Sequence, residues 1–208
     1  MSEEQLKPSK GTTTVGVLFK DGVVLAADKR ATVGNIIQSK TVEKILPIGD
    51  KLVMAIAGGV GDAQSLSRII RAEVELYKYS KGAPITVQSA ATMLANILQG
   101  NKYFPYYVGL ILGGYDSNAR LFDFDPFGGL LEHKYVTTGS GSVIAYGVLD
   151  EYYKEGMNKD DAVKLAAKAV SAAMKRDIYT GEGIDLVYIT AKETKRLSPQ
   201  EVQALLKA

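Results

Sequence analysis

The segment Lys10-Gly11-Thr12-Thr13-Thr14-Val15-Gly16 sets a glycyl-threonyl bond after a short polar leader and before a strand-like apolar run. Hydrolysis of that bond would make Thr12 an N-terminal residue, carrying a nucleophilic hydroxyl and a free α-amine together. The amine can then act as general base for the hydroxyl beside it. Its unperturbed pKa of roughly 7.7–8.0 lies near neutrality, where a base is substantially deprotonated and still basic. This chemistry needs no histidine, and His133 is the sole imidazole of the chain; cysteine is absent. A Ser-His-Asp triad would have to use His133, a zinc site would lack enough histidines, and thiolate sites and disulfides are excluded. Neither cofactor nor metal is expected. A threonine-rich run also has a purely structural reading, because β-branched residues suit strands.

An N-terminal threonine needs a cation to tune its amine, an acid to hold that cation, and backbone amides for the oxyanion. Asp28 ends an apolar run in Ala26-Ala27-Asp28-Lys29-Arg30, and Lys44 begins another in Val42-Glu43-Lys44-Ile45, so a buried pair is expected. Gly58-Gly59-Val60-Gly61-Asp62 falls between a strand and a helix, where backbone free of side chains can bring the Gly58 amide to a carbonyl. It matches neither G-x-G-x-x-G nor a loop ending in G-K-[ST], so phosphate binding is not read there. Thr138-Gly139-Ser140-Gly141-Ser142 is a second such junction, whose hydroxyls would also suit capping of the next helix. Asp177, Asp28 and Lys44 each have the alternative of a solvated element end.

The elements that must carry these residues follow from periodicity. Residues 12–19 and 23–28 read as strands joined at Asp21-Gly22, a strong hairpin signal, and 44–48 with 52–57 as a second hairpin. From Asp62 the period becomes helical, with Leu66, Ile69, Ile70, Val74 and Leu76 or Tyr77 on one face and Arg68, Arg71 and Glu73 on the other. A second helix fits 86–99. Strands return at 106–112 and 119–124 around a turn at 113–116, and at 135–136; the second sheet is placed in this middle stretch. Helices fit 143–153 and 160–176, the latter with Asp160-Asp161 and Lys175-Arg176 complementing its dipole. A buried strand at 184–190 and a helix at 199–207 close the chain. Strand blocks separated by helix pairs argue for an α+β fold, a four-layer αββα sandwich of two mainly antiparallel sheets flanked by helices.

At 208 residues with 25 basic and 23 acidic side chains, the chain offers no electrostatic case for nucleic acid or an anionic membrane. The leader has no apolar core and no segment approaches the ~20 apolar residues of a membrane span. A cytoplasmic protein is expected.

Together, Gly11-Thr12-Thr13-Thr14-Val15-Gly16, Ala27-Asp28-Lys29-Arg30, Lys44, Ala57-Gly58-Gly59-Val60-Gly61-Asp62-Ala63, Thr138-Gly139-Ser140-Gly141-Ser142 and Arg176-Asp177 resemble the proteasome β-subunit family of N-terminal nucleophile hydrolases, in its archaeal-type catalytic form. The resemblance covers essentially the whole chain. It implies Thr12 as nucleophile, Lys44 as amine-tuning cation, Asp28 as its carboxylate partner, Gly58 as oxyanion donor, and Ser140 and Asp177 as support around the amine. Thr180 stands where the family more often has serine. It also implies that residues 1–11 are a propeptide removed by attack of Thr12 on the Gly11 carbonyl, leaving 12–208 as one catalytic domain. The family's first specificity pocket corresponds to Ala31, Val42, Leu46, Ile56, Val60 and Gln64, mainly apolar, which implies cleavage of unfolded proteins after large hydrophobic residues. Expected partners are other β subunits in a seven-membered ring, α-subunit rings and, indirectly, an ATP-driven unfoldase. Alternatives are a catalytically inactive ring subunit, a small-molecule amidase, a Ser2 nucleophile, and the compact bacterial two-ring peptidase, whose threonine normally follows the initiator methionine.

Overall fold

The computed structural model describes residues 11–207; apart from Gly11, the predicted leader lies outside them. Seventeen elements follow in chain order, and two five-stranded antiparallel sheets organise them. The first contains β1 (Thr13–Phe19), β2 (Gly22–Asp28), β10 (Tyr135–Gly139), β11 (Ile184–Thr190) and β12 (Thr194–Arg196), in the order β10-β1-β2-β11-β12. The second runs β5 (Ile45–Gly49), β6 (Leu52–Gly58), β7 (Val108–Tyr115), β8 (Ala119–Phe124) and β9 (Leu130–Glu132) in sequence order. A separate hairpin joins β3 (Ala31–Val33) to β4 (Ile36–Ser39).

Three apolar clusters mark the three interfaces of a four-layer sandwich. Val24 and Ala26 of β2 pack toward α3 (Ser142–Tyr152), α4 (Lys159–Met174) and α5 (Pro199–Lys207). The alternate residues Val23, Leu25 and Ala27 pack between the sheets, against Val53, Ala55 and Ile111. Met54 and Ile56 of β6 turn outward to α1 (Val60–Lys81) and α2 (Val87–Gly100). Burial of both strand faces is why β2 and β6 are continuous apolar runs rather than alternating ones. The αββα sandwich expected from the element order is the observed fold.

The differences are local. The second sheet does not lie in the middle of the chain alone: β5 and β6 join it, while β10 crosses to the first sheet. Gly113 and Gly114 do not turn; they pair with Val53 and Leu52. A Cβ on Gly114 would stand 2.7 Å from Leu52 Cδ2, so close packing rather than chain reversal accounts for that glycine. On α1, Ile69 and Leu76 are exposed, and Tyr77 packs against the core in place of Leu76. Lys175 and Arg176 lie past the end of α4, whose start is capped by Asn158 Oδ1 accepting from the Asp161 amide at 2.9 Å. Among the described residues no helix is long and apolar enough to cross a membrane.

Candidate active site

Thr12 lies immediately before β1, only 3% exposed, at the end of the first sheet where β1 is flanked by β10 and β2. Antiparallel pairing of β1 with β2 sets Thr14 opposite Ala27 and brings Asp28 to the threonine end of the hairpin. Asp28 is fully buried and saturated: Oδ1 accepts from the Thr13 amide at 3.0 Å and Lys44 Nζ at 2.8 Å, and Oδ2 from the Arg30 and Gly181 amides, both at 3.0 Å. Lys44, 6% exposed, crosses from the head of β5 in the other sheet. Burial pulls its ammonium below the ordinary lysine range, while the Asp28 charge and hydrogen bond oppose that shift.

A second set of polar groups surrounds the Thr12 nitrogen. Ser140 Oγ accepts from the Thr12 amide at 3.2 Å and lies 2.6 Å from Asp177 Oδ2. Thr180 Oγ1 donates to the same carboxylate oxygen at 2.5 Å, and Thr13 Oγ1 lies 2.7 Å from Thr180 Oγ1. A carboxylate only accepts, so Ser140 and Thr180 both donate to Asp177. That fixes the proton order: Thr13 donates to Thr180, and the Ser140 oxygen presents its lone pair to the Thr12 nitrogen. Ser140 therefore does not cap α3, which has Gly141 at its N-cap and no side-chain hydrogen bond there. Gly139, at φ +101°, passes so close to Thr12 that a Cβ would lie 2.1 Å from the Thr12 carbonyl oxygen.

Gly58 ends β6 at φ +117°, and a Cβ there would stand 2.3 Å from the Tyr107 carbonyl oxygen, so only glycine fits. The turn is clamped from both sides. The Gly59 amide donates to Tyr107 O at 2.9 Å, and Asp62 Oδ2 accepts from the Tyr107 amide at 2.7 Å. A cavity of about 420 Å³ opens beside Thr12, and Gly58 and Lys44 line it. All six residues expected in the specificity pocket, Ala31, Val42, Leu46, Ile56, Val60 and Gln64, line the same cavity, as does Gly11. The Thr12 hydroxyl donates to the Gly11 carbonyl oxygen, on the bond expected to break.

The structure therefore brings together the seven residues given a part in the chemistry: Thr12, Asp28, Lys44, Gly58, Ser140, Asp177 and Thr180; the alternative nucleophile Ser2 lies outside the described residues. Sequence reasoning gave no part to Thr13, which links the two polar sets through its amide and hydroxyl, or to Arg30. Arg30 donates to Ile178 O at 2.6 Å and Glu182 Oε1 at 3.1 Å, holding the 178–182 loop over the site. The strand pairing that places Thr13 beside Asp28 was available in the hairpin signal; the Arg30 contacts span 148 and 152 residues of sequence and had no local signal.

The four-layer αββα sandwich of two antiparallel sheets is the fold of the N-terminal nucleophile hydrolases. The family model described as proteasome subunit matches residues 8–189, and the chain belongs to that family. Among its relatives is a proteasome subunit beta of Ferroglobus placidus, 50% identical over 202 residues covering 96% of each chain. The proteasome subunit beta of Archaeoglobus fulgidus is 49% identical over 99% of this chain and 98% of its own. Proteasome subunit beta 2 of Pyrococcus furiosus is 49% identical over 95% and 96%.

Proposed function

We propose that this chain is a catalytic β subunit of a self-compartmentalised proteasome core, a threonine endopeptidase that frees its own nucleophile by cutting after Gly11. The observation that carries this reading is the Thr12 hydroxyl held against the Gly11 carbonyl at the mouth of a cavity that Gly58 and Lys44 also line. In self-cleavage the hydroxyl oxygen bonds to the Gly11 carbonyl carbon and its proton passes to the Thr12 nitrogen. The Gly11–Thr12 C–N bond breaks, leaving an ester that water hydrolyses to a Gly11 carboxylate and a free Thr12 amine. Toward substrate the amine takes the hydroxyl proton, Thr12 Oγ1 attacks the peptide carbonyl, and the Gly58 amide donates to the oxyanion. The proton then passes from the amine to the leaving nitrogen; water, activated by the same amine, resolves the acyl ester.

The Asp28 charge and hydrogen bond counter the desolvation of Lys44, and a positive charge held there favours the neutral amine needed as base. Ser140, polarised by Asp177, holds the nitrogen in place. Gly11 occupies the position of the residue on the acyl side of the cut bond, so the cavity it shares with Val42, Leu46 and Ile56 receives that side chain in a substrate. A second cavity of about 470 Å³, walled by Tyr106, Tyr107 and Phe127, opens beyond Gly58. Room on both sides of Gly58 supports cleavage within a longer chain over hydrolysis of a small amide. The assembly proposed is a seven-membered β ring capped by α-subunit rings and fed unfolded protein by an ATP-driven unfoldase in the cytoplasm. Replacing Thr12 by Ala should abolish both leader removal and peptide hydrolysis in the co-assembled particle, whereas Thr12→Ser should retain both; an active T12A particle would contradict the assignment.

A further inference from the structure

A second ion pair lies within the first sheet, one residue along from Asp28, and its arginine reaches across to the second sheet. Asp185 on β11 is 4% exposed and lies opposite Ala27 of β2, next to Ile184, which lies opposite Asp28. Its Oδ2 pairs with Arg196 Nη1, supplied by the edge strand β12. The other end of the same guanidinium leaves the first sheet: Arg196 Nη2 donates to the Ile45 carbonyl at 2.7 Å. Ile45 is the first residue of β5 and follows Lys44 directly.

The two partners of the inner pair are held very differently. Asp28 belongs to an inner strand and its carboxylate accepts three backbone amides besides Lys44. Lys44 emerges from residues 41–44, which have no regular structure, into an edge strand. Its own carbonyl accepts from the Ile56 amide at 2.9 Å. Because successive carbonyls of a strand point to opposite sides, the Ile45 carbonyl faces the open edge of the sheet, where Arg196 meets it. Upstream, the Val42 amide donates to Lys29 O at 3.1 Å. Arg196 therefore ties the first sheet to the strand side of Lys44, as Lys29 does to the irregular side; its Nη1 also lies 3.9 Å from Glu43 Oε1, and Thr194 of β12 adds a bond further along, to the Asp50 carbonyl at 2.9 Å.

We propose that Arg196, oriented by Asp185, is a positioning residue that sets β5 against the first sheet and so holds Lys44 within reach of Asp28 and Thr12. This rests on the reading that Lys44 tunes the Thr12 amine. A displacement of about 1 Å at such a centre can cost on the order of 100-fold in rate, so partial loosening is expected to cost about tenfold. The charged groups around Thr12 and Lys44 are Asp28, Arg30 with its partner Glu182, Glu43 and Asp177. Retracting Lys44 would let the amine hold its proton to higher pH.

The test uses the co-assembled particle with Arg196→Met. The expected result is about a tenfold lower kcat on a fluorogenic peptide, a parallel slowing of leader removal, and an acid limb of the pH-rate profile moved to higher pH, a shift that general loosening would not produce. If R196M does not assemble, Arg196→Lys keeps a charge beside Asp185 but lacks the fork that reaches both partners; a smaller loss with the same direction of pH shift is then expected. An active wild-type particle matched by its variant in kcat and acid limb would overturn the positioning role alone. A wild-type particle that keeps its leader and hydrolyses nothing would overturn the functional reading and this role with it.

Discussion

Asp28 shows how much of the candidate site depends on one side chain. Its two oxygens accept four hydrogen bonds, three from backbone amides on different segments and one from Lys44, so no lone pair is left over. Asp28→Ala would strand a buried ammonium and three donors. Breaking a buried pair in this way costs about 3–5 kcal/mol, and urea unfolding of the unassembled subunit should show a loss in that range. A change below about 1 kcal/mol would mean that water replaces the carboxylate. Thr12, Asp28 and Lys44 were legible as residue types at strand ends, and the resemblance gathered Ser140 and Asp177 to them. The direction of the protons was not legible, because it follows from two hydroxyls meeting one oxygen of Asp177.

Among the elements, α5 carries a signature that can be tested apart from activity. Ser198 precedes the helix; its amide donates to Glu201 Oε2 at 2.7 Å and its Oγ accepts from the Glu201 amide at 3.3 Å, a reciprocal cap. Ser198→Ala should cost about 1 kcal/mol. The Lys195 ammonium, helped by Ser198, holds the Glu201 carboxyl down to about 2. A carboxyl depressed in the folded state contributes above its unfolded pKa, about 4.3, and loses that contribution as pH falls toward 2. The Tm difference between wild type and Glu201→Gln should therefore be present at pH 7 and shrink below about pH 4; a constant difference would contradict the pairing. Long elements such as α2, α4 and β11 were readable from periodicity and caps. The hairpin β3–β4 and strands β9 and β12 were not, since three or four residues carry too little alternation, and β7 was cut short by reading Gly113-Gly114 as a turn.

At the scale of the whole molecule, three apolar interfaces stack four layers, and the site forms where the two sheets meet at one end. The cavity beside Thr12 has Val42, Leu46, Ile56 and Val60 in its wall. The cations in that wall, Arg30 and Lys44, are already paired with Glu182 and Asp28, and Glu43 adds a negative charge, so a substrate carboxylate would be buried without a free base; peptides with large hydrophobic residues before the cut bond should be turned over well and acidic ones poorly. A profile dominated by cleavage after acidic residues would contradict this. The order of strand and helix blocks made the sandwich legible, but not which strands share a sheet, because the crossing of β10 to β1 joins segments more than 100 residues apart. The central claim is that Thr12 is freed to act. Intact mass and N-terminal sequencing of the subunit after co-assembly with an α subunit test it most directly: a terminus at Thr12 is the predicted result, and an intact leader in a fully assembled particle would contradict it.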